Sequence, residues 1–411
     1  MRKIYNQKIT YLSLYSLVFF VILLLTNCQT QKNNSTQTQN QKESKPPFKF
    51  RFIGEKIIPF EETFGEDNEK MTVGGISGID YNKSTDSYYL LSDDLFDENG
   101  RLRFYTAKLN YTKDSFTTLQ INSVSFLKQE NTQLYPTKSE GMKTADPESI
   151  IFSSQSNTLF WSSEGDRERN ILPFIAEMDT NGNQIRKLNL PQHFIDTTQN
   201  KGWYHNAAIE SLTFSTQKEE KIWLLSETSL QQDGEMTKKT EGIFPIRLMC
   251  LDRNTSEFEQ EFVYLAEPVA KEPIPKTAYG LNGVVEILEW KTDKNTNSKN
   301  TQFLVLERSY SQGYPKDEGT VVKLFLVDTE NATDSKNIES LKNLVPNKDY
   351  VPLKKTLVAD LSKMNLNHVD NIEGMSFGKN LENGNKTIIF VSDNNFQAIQ
   401  KTQFLIFEII E

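Results

Sequence analysis

Apolar and polar positions alternate over short stretches along most of this chain. Tyr88-Tyr89-Leu90-Leu91, Thr158–Trp161, Lys221–Leu225, Phe303–Leu306 and Thr387–Val391 are aromatic or branched runs that predict strands. Glu98-Asn99-Gly100, Thr180-Asn181-Gly182-Asn183 and Glu382-Asn383-Gly384-Asn385 read as hairpin connections. No long stretch carries the helical period, and Leu361–Leu366 offers one short turn at most.

The strand pattern is also self-similar. Ile209–Phe214 (IESLTF) is followed by a strand ending at Glu227, and near-copies occur at Pro147–Phe152 with Glu164 and at Ile372–Phe377 with Asp393. A degraded copy runs Ile76–Tyr81 with Asp93, where Ser77 replaces the glutamate, and a fifth unit pairs Leu281–Glu286 with Phe303–Glu307. The first position and the closing acid lie 16 residues apart at Ser77/Asp93 and Glu148/Glu164, 17 at Glu210/Glu227 and 20 at Glu373/Asp393. Such recurrence in an all-β chain predicts a β-propeller, whose blades each present an inner strand to one axis. The length suggests about six blades, with five or seven also compatible. Strands near Lys49–Ile53 and Phe404–Ile410 are expected to pair and close the ring, which would hide both sheet edges.

The ends of the chain read differently. Arg2, Lys3 and Lys8 precede an apolar run, Tyr11–Leu25, that has the length of a signal-peptide core. Leu25-Thr26-Asn27-Cys28 resembles a bacterial lipobox, so residues 1–28 are expected to be a lipoprotein signal with Cys28 as the lipidation site. Multiple acyl chains on one cysteine would hold the protein on the membrane. Gln29 after the cysteine favours the outer membrane, facing the periplasm or beyond. Residues 29–47 lack aromatic and branched aliphatic side chains and read as a disordered tether, which leaves 48–411 as one domain. Cys250 is then the only other cysteine, so disulfides have no role.

Net charge is −9, or about −12 once the three basic signal residues are removed. An acidic surface argues against nucleic-acid partners and leaves a small-molecule substrate, with the chain expected to act as a monomer. Period-two alternation puts Glu210, Leu212 and Phe214 on one strand face. Glu148, Glu210 and Glu373 would converge from different blades near the channel mouth. Oxygen ligands of this kind suit Ca²⁺, and only three histidines are present to favour a softer metal. The same glutamates would equally serve as acceptors for a neighbouring blade's amides. Asp93, Glu164, Glu227, Glu307 and Asp393 are expected at the blade ends. Arg308 is a candidate for gripping a phosphate or carboxylate, or for a plain intramolecular pair with a glutamate. His205 and His368 stand five residues ahead of Glu210 and Glu373 and are candidate proton carriers. Asn206 and Asn371 are candidate substrate-binding amides.

The ordered motifs Gly74–Ile79, Asp146-Pro147-Glu148-Ser149-Ile150, Ser162-Ser163-Glu164, Asn206–Leu212, Leu306-Glu307-Arg308 and Asp370–Met375 resemble the bacterial phytase-like family, described by an esterase-like activity of phytase. The resemblance covers about Gly74 to Glu411 and implies a propeller that hydrolyses phosphate or other esters, with calcium assistance by analogy to calcium-lined phytase propellers. Two other functions remain open at this point: a non-catalytic binding module of the cell envelope, and a lactonase-like hydrolase.

Overall fold

The computed structural model describes residues 46–65, 70–94, 101–137, 140, 144–216, 219–292 and 300–411. The expected signal, Cys28, the tether as far as Lys45 and the turn Glu98–Gly100 lie outside these residues. Among the described residues no helix is long and apolar enough to cross a membrane.

The strands run in chain order as β1 (Lys49–Ile58), the short pair β2 (Thr63–Phe64) and β3 (Met71–Thr72), β4 (Ile76–Asn82), β5 (Ser87–Ser92), β6 (Arg103–Tyr111), β7 (Phe116–Phe126), β8 (Pro147–Ser153), β9 (Thr158–Ser163), β10 (Phe174–Met178) and β11 (Gln184–Leu188). A four-residue helix, Gln192–Ile195, precedes β12 (Ile209–Phe214), β13 (Lys221–Ser226), β14 (Phe244–Asp252), β15 (Phe258–Ala266), β16 (Gly280–Thr292), β17 (Thr301–Ser311), β18 (Thr320–Asp328), β19 (Lys354–Asp360), β20 (Ile372–Phe377), β21 (Thr387–Ser392) and β22 (Thr402–Ile410). Leu361–Lys363 forms the single short turn expected near that point.

Four sheets are antiparallel meanders, β4-β5-β6-β7, β8-β9-β10-β11, β12-β13-β14-β15 and β16-β17-β18-β19; the fifth has the order β20-β21-β22-β1. Their first strands pack on one another in a closed cycle, β4 on β8, β8 on β12, β12 on β16, β16 on β20 and β20 on β4. The fold is a five-bladed β-propeller. The count falls below six because long excursions, such as 329–353 between β18 and β19, take up residues within blades. Closure is as expected: β1 pairs antiparallel with β22 from Lys49↔Ile410 to Ile58↔Thr402, so the N-terminal strand completes the last blade.

The hydrophobic core is divided in the same way. Five clusters of buried side chains each lie between two successive blades, for example Val285, Leu306 and Leu324 with Ile372, Phe390 and Phe407 between the fourth and fifth. Alternation along each strand supplies one apolar set to each neighbouring blade, which is why the repeat must close on itself to bury them. Turns follow local chemistry. Asp179 accepts the amides of Asn181 (2.8 Å) and Asn183 (2.9 Å), and Gly182 takes φ +80°, making the hairpin that the Asn-Gly pair predicts.

Candidate functional site

Each inner strand breaks register near its start, just after its first residue in four blades and after Val284, the fifth residue of β16, in the fourth. The shifts lie between Ile76 and Gly78, Pro147 and Ile150, Ile209 and Ser211, Val284 and Glu286, and Ile372 and Gly374. A bulge inserts a residue and re-aims its side chain. The bulged positions are Ser77, Glu148, Glu210, Val285 and Glu373. The period-two expectation therefore fails at Glu210: Leu212 enters the core between the second and third blades, whereas the burial that acts on the Glu210 carboxyl is joined by repulsion from Glu164, Glu227 and Glu373.

A second ring comes from the residue that closes each second strand. The amides of Asp93, Glu164, Glu227 and Asp393 donate to the carbonyls of Gly75 (2.8 Å), Asp146 (3.0 Å), Ala208 (2.9 Å) and Asn371 (3.0 Å), the residues just ahead of the inner strands. In the fourth blade the register pairs Val284 with Glu307 and Gly283 with Arg308. Arg308, and not Glu307, thus holds the fourth blade's place in this ring. Glu307 is turned away: it accepts from Tyr264 Oη, Lys355 Nζ (2.6 Å), Asn282 Nδ2 (2.8 Å) and the Glu267 amide (3.1 Å). Arg308 forms its intramolecular glutamate pairs elsewhere, with Glu373 and Glu227.

Arg308 donates from Nη1 to Glu373 Oε1 (2.8 Å) and to Asn371 Oδ1, and from Nη2 to Glu227 Oε1 (3.4 Å). Its Nε is buried without a hydrogen-bond partner. Gly283 makes room, since a Cβ there would stand 2.3 Å from Glu227 Oε1. On the other side of the mouth, ligand oxygens of Asp146, Glu148 and Glu164 all lie within 4.8 Å of one another and could hold a metal ion. Three carboxylates with no histidine among them fit a hard cation.

Burial and mutual repulsion act together on these groups. Burial first, then Glu210, Asp146 and Glu164, push Glu148 well above the usual carboxyl range. Glu164 is pushed the same way by burial and Asp146, although the Ala208 amide (2.9 Å) opposes this. Asp93 and Asp393 are both raised, by burial and then by charges that include Asp393 on Asp93 and Glu373 on both. Burial lifts Glu373, with Arg308 resisting, and lifts Glu227 to about 7 against the same guanidinium. Asp146 completes a set of eight carboxyls at the mouth; among the described residues Arg308 acts on Glu210, Glu227, Glu373 and Asp393, and Lys238 adds its charge at Glu227.

Deeper in the channel the acids have structural work. One position beyond the bulge stand Gly78, Ser149, Ser211 and Gly374, but Glu286 in the fourth blade. Its buried carboxylate accepts its neighbour's amide, Ile287 N (2.9 Å), and the Met375 and Leu212 amides of the two flanking inner strands favour its charged form, although Leu212 N itself bonds Ser149 Oγ (3.1 Å). Asp80 accepts Phe152 N (2.7 Å) and Ser376 Oγ (3.1 Å), again from both neighbours. Amide bonding between blades, expected of the repeated glutamates, is mainly the task of these residues.

The structure brings Glu148, Glu210, Glu373, Arg308 and Asn371 to one mouth. Glu148 belongs to the three-acid group, while Glu373 is held by Arg308 and by Asn371 Nδ2 (2.9 Å). The two histidines are not equivalent. His205 is exposed on the rim, with Nδ1 3.7 Å from Asp166, and lines a cavity of about 240 Å³ with Asn206 and Asp146. His368 Nε2 bonds Asp370 Oδ2 (2.8 Å). Asp146 escaped the sequence-based choice of ligands because the repeat has no acid at that position in any other blade. Its signal was the adjacency Asp146-Pro147-Glu148.

A family model described as "Phytase-like: Esterase-like activity of phytase" matches residues 71–396. No curated protein matches the chain. Among solved structures, an endo-1,4-beta-xylanase from Bacteroides thetaiotaomicron is similar at 11% identity and TM-score 0.40, covering 81% of this chain and 90% of its own. The catalytic domain of a Coprinopsis cinerea GH62 alpha-L-arabinofuranosidase is similar at 8% identity and TM-score 0.42, with 88% and 97% covered.

Proposed function

The chain belongs to the phytase-like family, and from that premise we propose that it is a calcium-assisted hydrolase of phosphate esters, tethered to the bacterial cell envelope through Cys28. The observation that carries this reading is the imbalance at the channel mouth, where, among the described residues, eight carboxyls gather with Arg308 between Glu227 and Glu373 and Lys238 near Glu227. Carboxyls so crowded are neutralised by protons or by a cation, and Asp146, Glu148 and Glu164 offer the donors for one. When bound there, a calcium ion would polarise a phosphoryl oxygen and acidify a water molecule.

The chain's own groups account for the rest. Arg308 lines the mouth with its side chain partly exposed and offers its guanidinium to an ester oxygen. Hydrolysis joins the oxygen of water to phosphorus, breaks the ester P–O bond and leaves one proton on the departing alcohol. Glu227, pushed up to about 7, exchanges protons near neutral pH and is the acid–base group of this scheme. His368, oriented by its bond to Asp370, and His205 at the rim would carry protons between this group and solvent.

Release of nitrophenol from p-nitrophenyl phosphate tests the scheme. Chelator is expected to abolish turnover, and Glu148→Gln to lower kcat/KM about 100-fold or more, the scale of a lost catalytic group. The activity should sediment with membranes and become soluble in Cys28→Ser. Turnover indifferent to chelator and to Glu148→Gln would sink the reading. Calcium that raises Tm without any turnover would instead identify a binding module.

A further inference from the structure

Beside Arg308 the fourth and fifth blades enclose a cavity of about 550 Å³. Its lining combines Arg308 and Asn371 with Tyr279, Tyr310, Leu281 and Ile399. Tyr279, Tyr310 and Ile399 are 49%, 41% and 74% exposed. Single exposed apolar residues are ordinary on a protein surface, but several on one concave wall mark a binding face. The two tyrosine rings lie 6.3 Å apart between centroids, tilted by 40°, and Lys238 Nζ is 5.5 Å from the centroid of Tyr279.

Charge limits what can enter. Arg308 is the only cation among the described residues that line the cavity, beside the acid Asp370, and it is already shared between Glu227 and Glu373; Lys238 and Lys271 stand behind the lining rings of Tyr279 and Tyr314. The mouth beyond it holds eight carboxyls, of which a cation bound by Asp146, Glu148 and Glu164 would offset only a part. A ligand with many phosphates would bring charge that this wall cannot match. A ligand with one phosphate and a flat apolar body meets one guanidinium and aromatic surface.

We propose that this cavity is the leaving-group subsite, and that the substrate class is a phosphate monoester of an aryl or similarly flat apolar alcohol, not a polyphosphorylated polyol. The proposal rests on the phosphoesterase reading for its reaction, but binding tests it separately. In calorimetry on the full-length protein with calcium, phenyl phosphate is expected to bind about tenfold more tightly than inorganic phosphate, the scale of one well-placed aromatic contact. Tyr279→Ala with Tyr310→Ala should erase that ratio, and Tyr310→Phe, which keeps the ring, should preserve it. If the double variant does not fold, Tyr310→Ala alone carries the comparison, with an expected severalfold loss. Equal affinity for phenyl phosphate and phosphate, a ratio that survives loss of the rings, or tighter binding of inositol hexakisphosphate would overturn the proposal. Preferential binding of phenyl phosphate without hydrolysis would support it and count against the hydrolase reading alone.

Discussion

The third and fourth blades share a topology, a bulge and a register, and differ in what occupies three corresponding places. The third has Glu210 at the bulge, Ser211 beyond it and Glu227 at the close; the fourth has Val285, Glu286 and Arg308. Val285 joins the apolar core shared with the fifth blade, so one acid is missing from the mouth. Glu286 carries its carboxylate into the channel interior, where the third blade has only a hydroxyl. Arg308 reverses the charge of the closing ring. The repeat thus supplies positions, and the chemistry depends on how each is filled.

Making the fourth blade resemble the third should have its largest effect at Arg308. Arg308→Glu would remove the partner of Glu373 and Glu227 and add a ninth carboxyl. Loss of one member of a largely buried pair suggests a destabilisation of about 3 kcal/mol, read by denaturant unfolding in chelator, with calcium restoring part of it. Unchanged stability would show that the guanidinium does not hold these acids together.

Glu286→Ser should act less strongly. It leaves the Ile287 amide without its acceptor, at a cost of about 1 kcal/mol, partly offset because a buried carboxyl no longer needs to be desolvated. A higher Tm than wild type would mean that burial of this carboxyl costs more than its amide bond returns.

The smallest effect is one of pH. Burial raises Asp80 from 3.8 to about 6, with the Phe152 amide opposing, and Glu227 from 4.5 to about 7. Between these limits the folded protein keeps protons that the unfolded chain releases, so their contribution is present at low pH and is lost as pH rises through the folded values. Carboxyls lowered by folding, such as Asp86 and Glu408, act below their ordinary values near 4. In chelator, Tm should therefore rise as pH falls from 7 to 5, with a shallower slope in Asp80→Asn. A Tm that falls steadily over that range would contradict the raised values.

Much of this was legible in the chain. The five second strands announced themselves by apolar runs, and the copies starting at Ile76, Pro147, Ile209 and Ile372 fall at the inner strands. Glu148, Glu210, Glu373 and Arg308 were marked by the repeat or by departure from it. The partners were not. Alternation gave no warning of the bulges, because a bulge is an extra residue opposite one partner and exists only once two strands pair. For the same reason Glu307 looked like the closing acid of its blade, when pairing with Val284 turns it outward.

Periodicity and recurrence by themselves determined the all-β class, the propeller and the pool of acids, since strand formation and blade closure depend on patterns written locally and repeated. Tertiary structure alone decided that there are five blades, that Arg308 stands among eight carboxyls, that Asp146 joins Glu148 and Glu164, and that Tyr279 and Tyr310 flank the arginine. Most of those are distances between residues far apart in sequence, such as Glu148 and Glu164, Arg308 and Glu373, or Tyr279 and Tyr310, set by register and by the angle at which blades pack.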